Sequence, residues 1–169
     1  MTNLFSFVEI YRRALEAADH ILDKGAIFAA ENGVSESDML GWQLVDDMNP
    51  LSFQLAVAIN FSNGWMARAA GIAVPEAIDG SATDVAGFKA AISGAKSFLA
   101  GLTDDQINDR DEAPVTFKIG DIMEPTLPAG QWIRGFATTN IHFHMSIAYA
   151  ILRMKGVPLG KIDLFPSGL

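Results

Sequence analysis

The chain has 169 residues, half of them apolar, and a net charge of −8 at pH 7. This length suits a single domain spanning residues 1–169 around one hydrophobic core. The acidic balance argues against nucleic acids and anionic membrane surfaces as partners. The absence of cysteine excludes thiolate nucleophiles, disulfides and cysteine-ligated zinc. No signal peptide or membrane-spanning segment is visible in the sequence, so we expect a cytoplasmic protein.

Three amphipathic helices are predicted from the spacing of their apolar residues. In residues 4–31, 83–101 and 130–155, apolar positions recur in steps of three and four, as in helices packed in a left-handed bundle. Gly33 follows the first of them, where glycine easily forms a left-handed cap. On the last helix, the predicted buried stripe consists of Ile133, Phe136, Asn140, Phe143, Ile147, Ile151 and Met154.

Another helix is predicted over residues 50–70, as the second of the four. Asn49 is a capping residue, a proline follows it at the first helical position, and Gly71 ends the segment. This helix is apolar around almost its whole circumference, which predicts cover on all sides. We expect a second subunit to supply part of that cover, with Leu55 and Tyr149 at exposed positions. A homodimer is therefore predicted.

One β signal lies between the third and fourth helices. Residues 115–119 alternate between apolar and polar before Gly120, which predicts a strand entering a hairpin and returning through Ile122 and Met123. The last segment, 157–169, is predicted to be an extended tail whose apolar residues dock on the body. Four helices and one hairpin indicate an all-α four-helix bundle.

The last helix carries two histidines that point in opposite directions. An α-helix advances by about 100° per residue, so the side chains of His142 and His144 lie about 200° apart. Only one of them can face the bundle interior. His144 projects inward with Asn140, which precedes it by one helical turn. His142 is therefore predicted at the surface or at a subunit interface.

The second helix supplies two matching amides, Asn60 and Asn63. In one interpretation, these amides, Asn140 and His144 hydrogen-bond to each other and to the backbone and so fix the helix register. That interpretation is the simpler one, because an unpaired buried amide costs about 1–3 kcal/mol. In the other, the four groups orient a small molecule in a pocket between helices two and four. Trp65 or Phe143 would then pack against that ligand.

Two carboxylates precede the second helix. Asp46 and Asp47 lie where the helix dipole stabilises negative charge, so capping is the default explanation. A cation site or a general base is the alternative, although no paired donor is identifiable in the sequence.

Four segments together resemble a bacterial family of unknown function in the DinB/YfiT-like superfamily. They are DDMNPL at 46–51, NGWMARAAG at 63–71, NIHFHMSIAYAILR at 140–153 and GVPLGKID at 156–163. The resemblance covers nearly the whole chain, including a hairpin-like insert before the last helix. It implies an up-down-down-up four-helix bundle that is commonly a homodimer.

The resemblance also implies a metal site in the better-understood branches of that superfamily, which include metal-dependent hydrolases and low-molecular-weight-thiol transferases. There, three histidines hold a divalent metal, one from the second helix and a His-x-x-x-His pair from the last. Carried over by position, these ligands fall near Asn60 or Asn63 and at Asn140 and His144. An amide oxygen binds zinc or nickel far less well than an imidazole nitrogen. We therefore expect no cofactor, and a residual zinc or nickel site only if Asp47 reaches His144.

Three functions follow from these observations. The first is a metal-free, dimeric bundle that binds a small apolar or amphipathic molecule between helices two and four. The second is a metal-dependent hydrolase or thiol transferase of the DinB-like type, with His144 as general base or residual metal ligand. The third is a dimeric scaffold without a ligand, whose polar core only specifies helix pairing.

Overall fold

The computed structural model describes residues 3–168 and shows an all-α bundle of four long helical segments. The long segments are α1 (Ser6–Glu31), α3 (Leu51–Ala70), α4 (Val85–Ala100) and a composite last segment built from α6 (Ala129–Gln131), a π-helical stretch (Trp132–Ala137) and α7 (Thr138–Met154). Short helices α2 (Glu36–Leu40) and α5 (Asp104–Ile107) lie in the connections. The predicted four-helix, up-down-down-up class is confirmed. No helix within residues 3–168 has both the length and the apolar character needed to cross a membrane.

Local sequence signals set several helix ends. Gly33 follows α1 and Gly71 follows α3, each with a φ of 69°. Glycine adopts this left-handed conformation without steric cost, so both glycines end their helices as predicted. At the start of α4, the side chain of Asp84 accepts a hydrogen bond from the Gly87 N–H at 2.7 Å. This bond satisfies one of the free amides of the first turn.

The expected capping of α3 by Asn49 is wrong. The helix begins at Leu51, and Pro50 occupies the cap position without a side-chain hydrogen bond. The backbone carbonyl of Asn49 instead accepts a hydrogen bond from Nε2 of Gln54 at 2.8 Å. The side chain of Gln54, in the first turn of α3, thus holds the backbone of Asn49 just before the helix.

Helix α3 is covered by its own chain. It contacts α1, α4 and α7, together with the short 3-10 turn Gly80–Ala82. Leu55 is fully buried, which corrects the expectation that it is exposed. These contacts account for most of the apolar circumference of α3, although Phe53 remains 40% exposed.

A π-helical turn shifts the buried face of the last segment. An i→i+5 turn contains one more residue than an α-helical turn, so the apolar stripe moves by about one position. The buried residues beyond it are Ile141, Met145, Ala148, Ile151 and Leu152. Phe143 and Met154 are therefore 53% and 49% exposed, although a constant helical advance places them on the buried stripe. This is a correction of the predicted face.

Polar side chains support the π-helical turn. The hydroxyl of Thr138 donates to the carbonyl of Ile133 at 2.7 Å. The buried hydroxyl of Tyr11 lies 3.3 Å from the same carbonyl and 2.9 Å from the Thr138 hydroxyl. Groups that the wider turn frees from the α-helical pattern therefore have partners, which is what a buried π turn requires.

The predicted hairpin is present, with a different return strand. β1 (Pro114–Thr116) pairs antiparallel with β2 (Thr126–Pro128), and an isolated bridge joins Ile119 to Met123. Ile122 lies in the tip and is 81% exposed, so the return through Ile122 and Met123 as a strand is wrong. The hairpin is longer than the alternation alone indicates, because the two strands pair on the side of the Ile119–Met123 bridge away from the tip. Its position brings Phe117 against α3, with 4.8 Å between the ring centroids of Phe117 and Trp65.

The segment after α7 packs on the body through the buried side chains of Val157 and Leu159, and one carboxylate ties it to α1. Asp163 accepts hydrogen bonds from the Gly160 N–H at 2.6 Å and from Lys24 Nζ at 2.9 Å, and lies 2.8 Å from His20 Nε2. The Gly160 N–H, followed by Lys24 and His20, holds the pKa of the Asp163 carboxyl well below its usual range. The predicted tail extends to Leu169, which lies outside the described residues.

Candidate functional site

His144 lies half-buried on α7, beside the first turn of α3. Its Nδ1 is 2.7 Å from Oε1 of Gln54, a side chain that is only 3% exposed. Because Nε2 of Gln54 donates to Asn49, Oε1 is the acceptor. Nδ1 of His144 therefore carries the proton, and Nε2 is left as the basic nitrogen. Burial lowers the pKa of His144, which favours this neutral form.

Two aromatic side chains flank this imidazole. Ring centroids of Phe53 and Phe143 lie 5.9 Å and 5.2 Å from that of His144, both edge-on. Both phenylalanines are substantially exposed, so the imidazole lies near the surface rather than in the core. His142 is exposed on α7, as predicted.

Two of the predicted amide side chains form hydrogen bonds with backbone groups. Nδ2 of Asn140 donates to the carbonyl of Phe136, one turn earlier in the same segment, at 2.7 Å. Asn60 binds the backbone of Ile78 twice: Nδ2 donates to the carbonyl at 3.0 Å, and Oδ1 accepts from the N–H at 2.9 Å. Asn60 thus anchors the loop that follows α3 to the helix.

Asn63 lines a separate cavity of about 140 Å³, which we call the α3–loop pocket. Its walls include Asn63, Trp65 and Arg68 of α3, Pro75 and Glu76 of the following loop, and Phe117 of the hairpin. Asn63 is nine positions from Gln54, which places the two side chains about 180° apart around α3. The four predicted polar residues therefore do not share one cleft. Asn60 and Asn63 line the pocket, whereas Asn140 and His144 of α7 are not among its lining residues in the described part of the chain.

The pocket has an aromatic wall and a stacked cation. The buried indole of Trp65 stacks on Trp132 with 5.0 Å between centroids and continues into Phe117. The guanidinium carbon of Arg68 lies 5.4 Å from the centroid of Trp65 and 5.1 Å from that of Phe117. Burial lowers the pKa of Arg68, yet a guanidinium stays protonated near neutral pH. Cation–π contacts of this kind attract the guanidinium to the rings.

Two polar groups at this pocket lack partners among residues 3–168. Oδ1 of Asn63 is buried and makes no hydrogen bond there. Within the same residues, no carboxylate oxygen lies within 4.0 Å of the Arg68 nitrogens. Buried polar atoms nearly always have a partner, so an unpaired acceptor on a residue that lines a cavity points to a bound molecule or water.

The residues near His144 do not fit the metal site that the resemblance implies. The side chain of α3 that faces His144 is Gln54, not Asn60 or Asn63, and its oxygen is already bonded to the imidazole. Asp47 is exposed in the loop before α3. No group of three or more His, Asp or Glu side chains arranged for a metal ion occurs in the described part of the chain.

Sequence reasoning missed both Gln54 and Arg68, although each left a signal. Gln54 precedes Phe61 by seven residues, so it is an isolated amide on the same apolar face of α3. Arg68 follows Gly64 by one turn, and a Cβ at Gly64 would lie 2.7 Å from Arg68 Nη1. Helical side chains lean toward the preceding turn, so a glycine one turn before an arginine leaves room for the guanidinium there.

Comparisons with known proteins agree with this fold. The model of a family described as a domain of unknown function, DUF1993, matches residues 5–165. A crystal structure described as a DinB family member from Shewanella denitrificans matches with a TM-score of 0.82 and 26% identity, covering 94% of this chain and 88% of that one. A search of curated proteins gave no match. The DinB-like bundle and the match over almost the whole chain together show that this protein belongs to the DUF1993 family.

Proposed function

We propose that this protein binds a small molecule in the α3–loop pocket and does so without a metal ion. The observation that supports this function most directly is Asn63, which lines the pocket and whose buried Oδ1 has no partner among the described residues. Small-molecule sites are concave and mostly apolar, with a few polar groups that fix the ligand's orientation. Trp65 and Phe117 supply the apolar walls, and Asn63 and Arg68 supply the polar groups.

The residues predicted from the sequence fall into two separate sites. Asn63 and Trp65 keep a role in ligand binding. Asn60 lines the pocket, but both polar atoms of its amide hydrogen-bond to the backbone of Ile78. Its role is therefore to hold the loop that forms the pocket, without contact to the ligand. His144, Asn140 and Phe143 belong to the other site.

A fragment panel read by NMR tests the pocket. We expect a subset of single-ring compounds to shift the indole N–H of Trp65 and the Nε–H of Arg68 selectively. Asn63→Ala should weaken the binding of those compounds that carry a hydrogen-bond donor, because it removes the unpaired acceptor. Asn140→Ala is the matched control, since its amide bonds only to its own helical segment. A panel that perturbs neither pocket resonance would contradict the proposal.

A second candidate function is metal-free acid–base catalysis at His144. Gln54 fixes the Nδ1–H form, and no hydrogen bond within residues 3–168 occupies Nε2, which suits a general base. Hydrolysis of p-nitrophenyl acetate near neutral pH tests this function. His144→Gln should remove most of the rate above background, and His142→Gln, which alters an exposed histidine of the same helix, should not. Equal losses in both variants would contradict a special role for His144.

A homodimer remains part of the proposal, with a different surface from the one the sequence indicates. Phe53 and Phe143 are neighbouring exposed aromatic side chains on either side of His144. We propose that a second copy covers them. Sedimentation velocity at micromolar concentration should show a dimer that the double variant Phe53→Ser/Phe143→Ser converts to a monomer. Ile122→Ser, at the exposed hairpin tip, is the control, and a monomeric wild type would contradict the dimer.

A dimer that binds no fragment and hydrolyses no ester would instead favour the ligand-free scaffold.

A further inference from the structure

We propose that the α3–loop pocket takes a small planar carboxylate, namely a single-ring aromatic acid that also carries a hydrogen-bond donor. This inference rests on the proposed function, because it names the ligand class of the same pocket. It is carried by three features of the pocket: an unpaired guanidinium, an aromatic wall and a buried amide oxygen.

The guanidinium of Arg68 is the first feature. Its carbon lies 5.4 Å and 5.1 Å from the ring centroids of Trp65 and Phe117, and no carboxylate oxygen of residues 3–168 lies within 4.0 Å of its nitrogens. A guanidinium can donate two parallel hydrogen bonds to one carboxylate, which gives both strength and direction. Elsewhere in the described chain, Arg12 and Arg134 bind carboxylates in this way.

In a chain this acidic, an arginine without a carboxylate partner is unusual. The chain has 20 acidic against 12 basic residues, so carboxylates are abundant. Arg68 is nevertheless half-buried with no carboxylate within 4.0 Å among residues 3–168. Taking a charge out of water without a partner is unfavourable. A bound anion would compensate it.

The walls and the amide define the rest of the ligand. Trp65, Phe61 and Phe117 line a cavity of about 140 Å³, which suits one ring and little more. Oδ1 of Asn63 can only accept a hydrogen bond, so the ligand needs a hydroxyl or amino group to satisfy it. An aromatic acid with a ring hydroxyl has all the required groups.

Glu76 opposes an anion and so provides an internal check. Among the pocket-lining residues that the structure describes it is the one carboxylate, and it is exposed. Its charge should weaken binding of a carboxylate modestly, since exposed charges are screened by solvent. Glu76→Gln should therefore raise the affinity for an anionic probe and leave a neutral probe unaffected.

Three probes separate the contributions: benzoate, its neutral analogue benzamide, and 4-hydroxybenzoate. In titrations followed by the Trp65 and Arg68 resonances, we expect benzoate to bind about tenfold more tightly than benzamide, because a charge-assisted hydrogen bond is lost in the amide. 4-Hydroxybenzoate should bind more tightly than benzoate, and Asn63→Ala should remove that advantage. Arg68→Gln should reduce the affinity for benzoate to that for benzamide.

Gly64 offers a variant that moves the guanidinium without removing it. A Cβ at this position would lie 2.7 Å from Arg68 Nη1 and 3.6 Å from Val74 Cγ1, so the flexible end of Arg68 must shift. Gly64→Ala should keep the fold, because alanine favours the helix, and should weaken benzoate binding severalfold. Gly94→Ala is the matched control, since a Cβ there meets no atom within 4 Å in residues 3–168 beyond its chain neighbours and its own helix backbone.

The outcomes distinguish this inference from the proposed function. Equal binding of benzoate and benzamide, or benzoate binding that survives Arg68→Gln, would overturn the carboxylate while leaving the pocket a small-molecule site. If none of the three probes and no member of the wider fragment panel shifts the pocket resonances, both proposals fail.

Discussion

Nδ1 of His144 and Oε1 of Gln54 are 2.7 Å apart, although the two residues are separated by 90 positions in the sequence. Gln54 continues this contact to the backbone carbonyl of Asn49. Imidazole, amide and carbonyl thus form a continuous chain that ties α7 to the beginning of α3. The side chain of α3 that meets His144 is therefore Gln54, and not Asn60 or Asn63, near which the family resemblance implies a metal ligand.

These two hydrogen bonds predict that Gln54 and His144 contribute cooperatively to the free energy of unfolding. Gln54→Leu should lower the free energy of unfolding by about 1–3 kcal/mol, because it leaves the Asn49 carbonyl and the imidazole N–H without a partner. In a double-mutant cycle with His144→Leu, we expect a coupling of about 1 kcal/mol in urea denaturation. Gln43→Leu is the control, since that exposed side chain bonds only to the nearby Met48 carbonyl. Additive losses would show that the two residues act independently.

The burial of His144 predicts how stability depends on pH. Burial holds the pKa of His144 below 6.5, its ordinary value in an unfolded chain. Above that pH both states are neutral at this residue. As the pH falls through 6.5, the unfolded chain takes up the proton first, so the free energy of unfolding decreases until the folded-state pKa is passed.

Urea denaturation between pH 8 and pH 5 measures this effect. His144→Gln should show a smaller loss of stability over that interval than the wild type. His142→Gln should keep the wild-type slope. An unchanged slope in His144→Gln would contradict the assignment of a buried, neutral imidazole.

Asn60 predicts a local effect on the loop that follows α3. Asn60→Ala removes both hydrogen bonds to Ile78 and should destabilise the protein by about 1–2 kcal/mol. Asn60→Asp keeps an acceptor for the Ile78 N–H but loses the donor, so an intermediate effect is expected. Hydrogen exchange should rise in residues 74–80. A variant that lowers ligand affinity without affecting this exchange would indicate that Asn60 contacts the ligand instead.

The donor set around His144 predicts weak metal binding. Elemental analysis of protein purified without a histidine tag should find zinc and nickel far below one ion per chain, because one imidazole with neutral amides is a poor site. Added zinc should raise the melting temperature no more in the wild type than in His144→Ala. A stoichiometric ion lost on His144→Ala would overturn the metal-free proposal.

Local sequence determined much of this architecture. Steps of three and four in the apolar residues place the four long segments, and Gly33 and Gly71 end two of them, because helix periodicity and caps depend on near neighbours in the chain. The same local argument separates His142 from His144. The segments at 140–153 and 156–163 carried the family resemblance that the comparison over residues 5–165 confirms.

Tertiary structure decided the contacts that define the candidate sites. The π turn before Thr138 shifts the buried face of α7 by about one residue, and it depends on Tyr11, which no local pattern on α7 reveals. The partner of His144 is Gln54 rather than Asn60 or Asn63, since packing selects which of several amides on α3 meets α7. The pocket at Asn63 and Arg68 exists only because the hairpin brings Phe117 to α3. Hydrogen bonds and cavity walls join residues distant in sequence, so periodicity alone does not specify them.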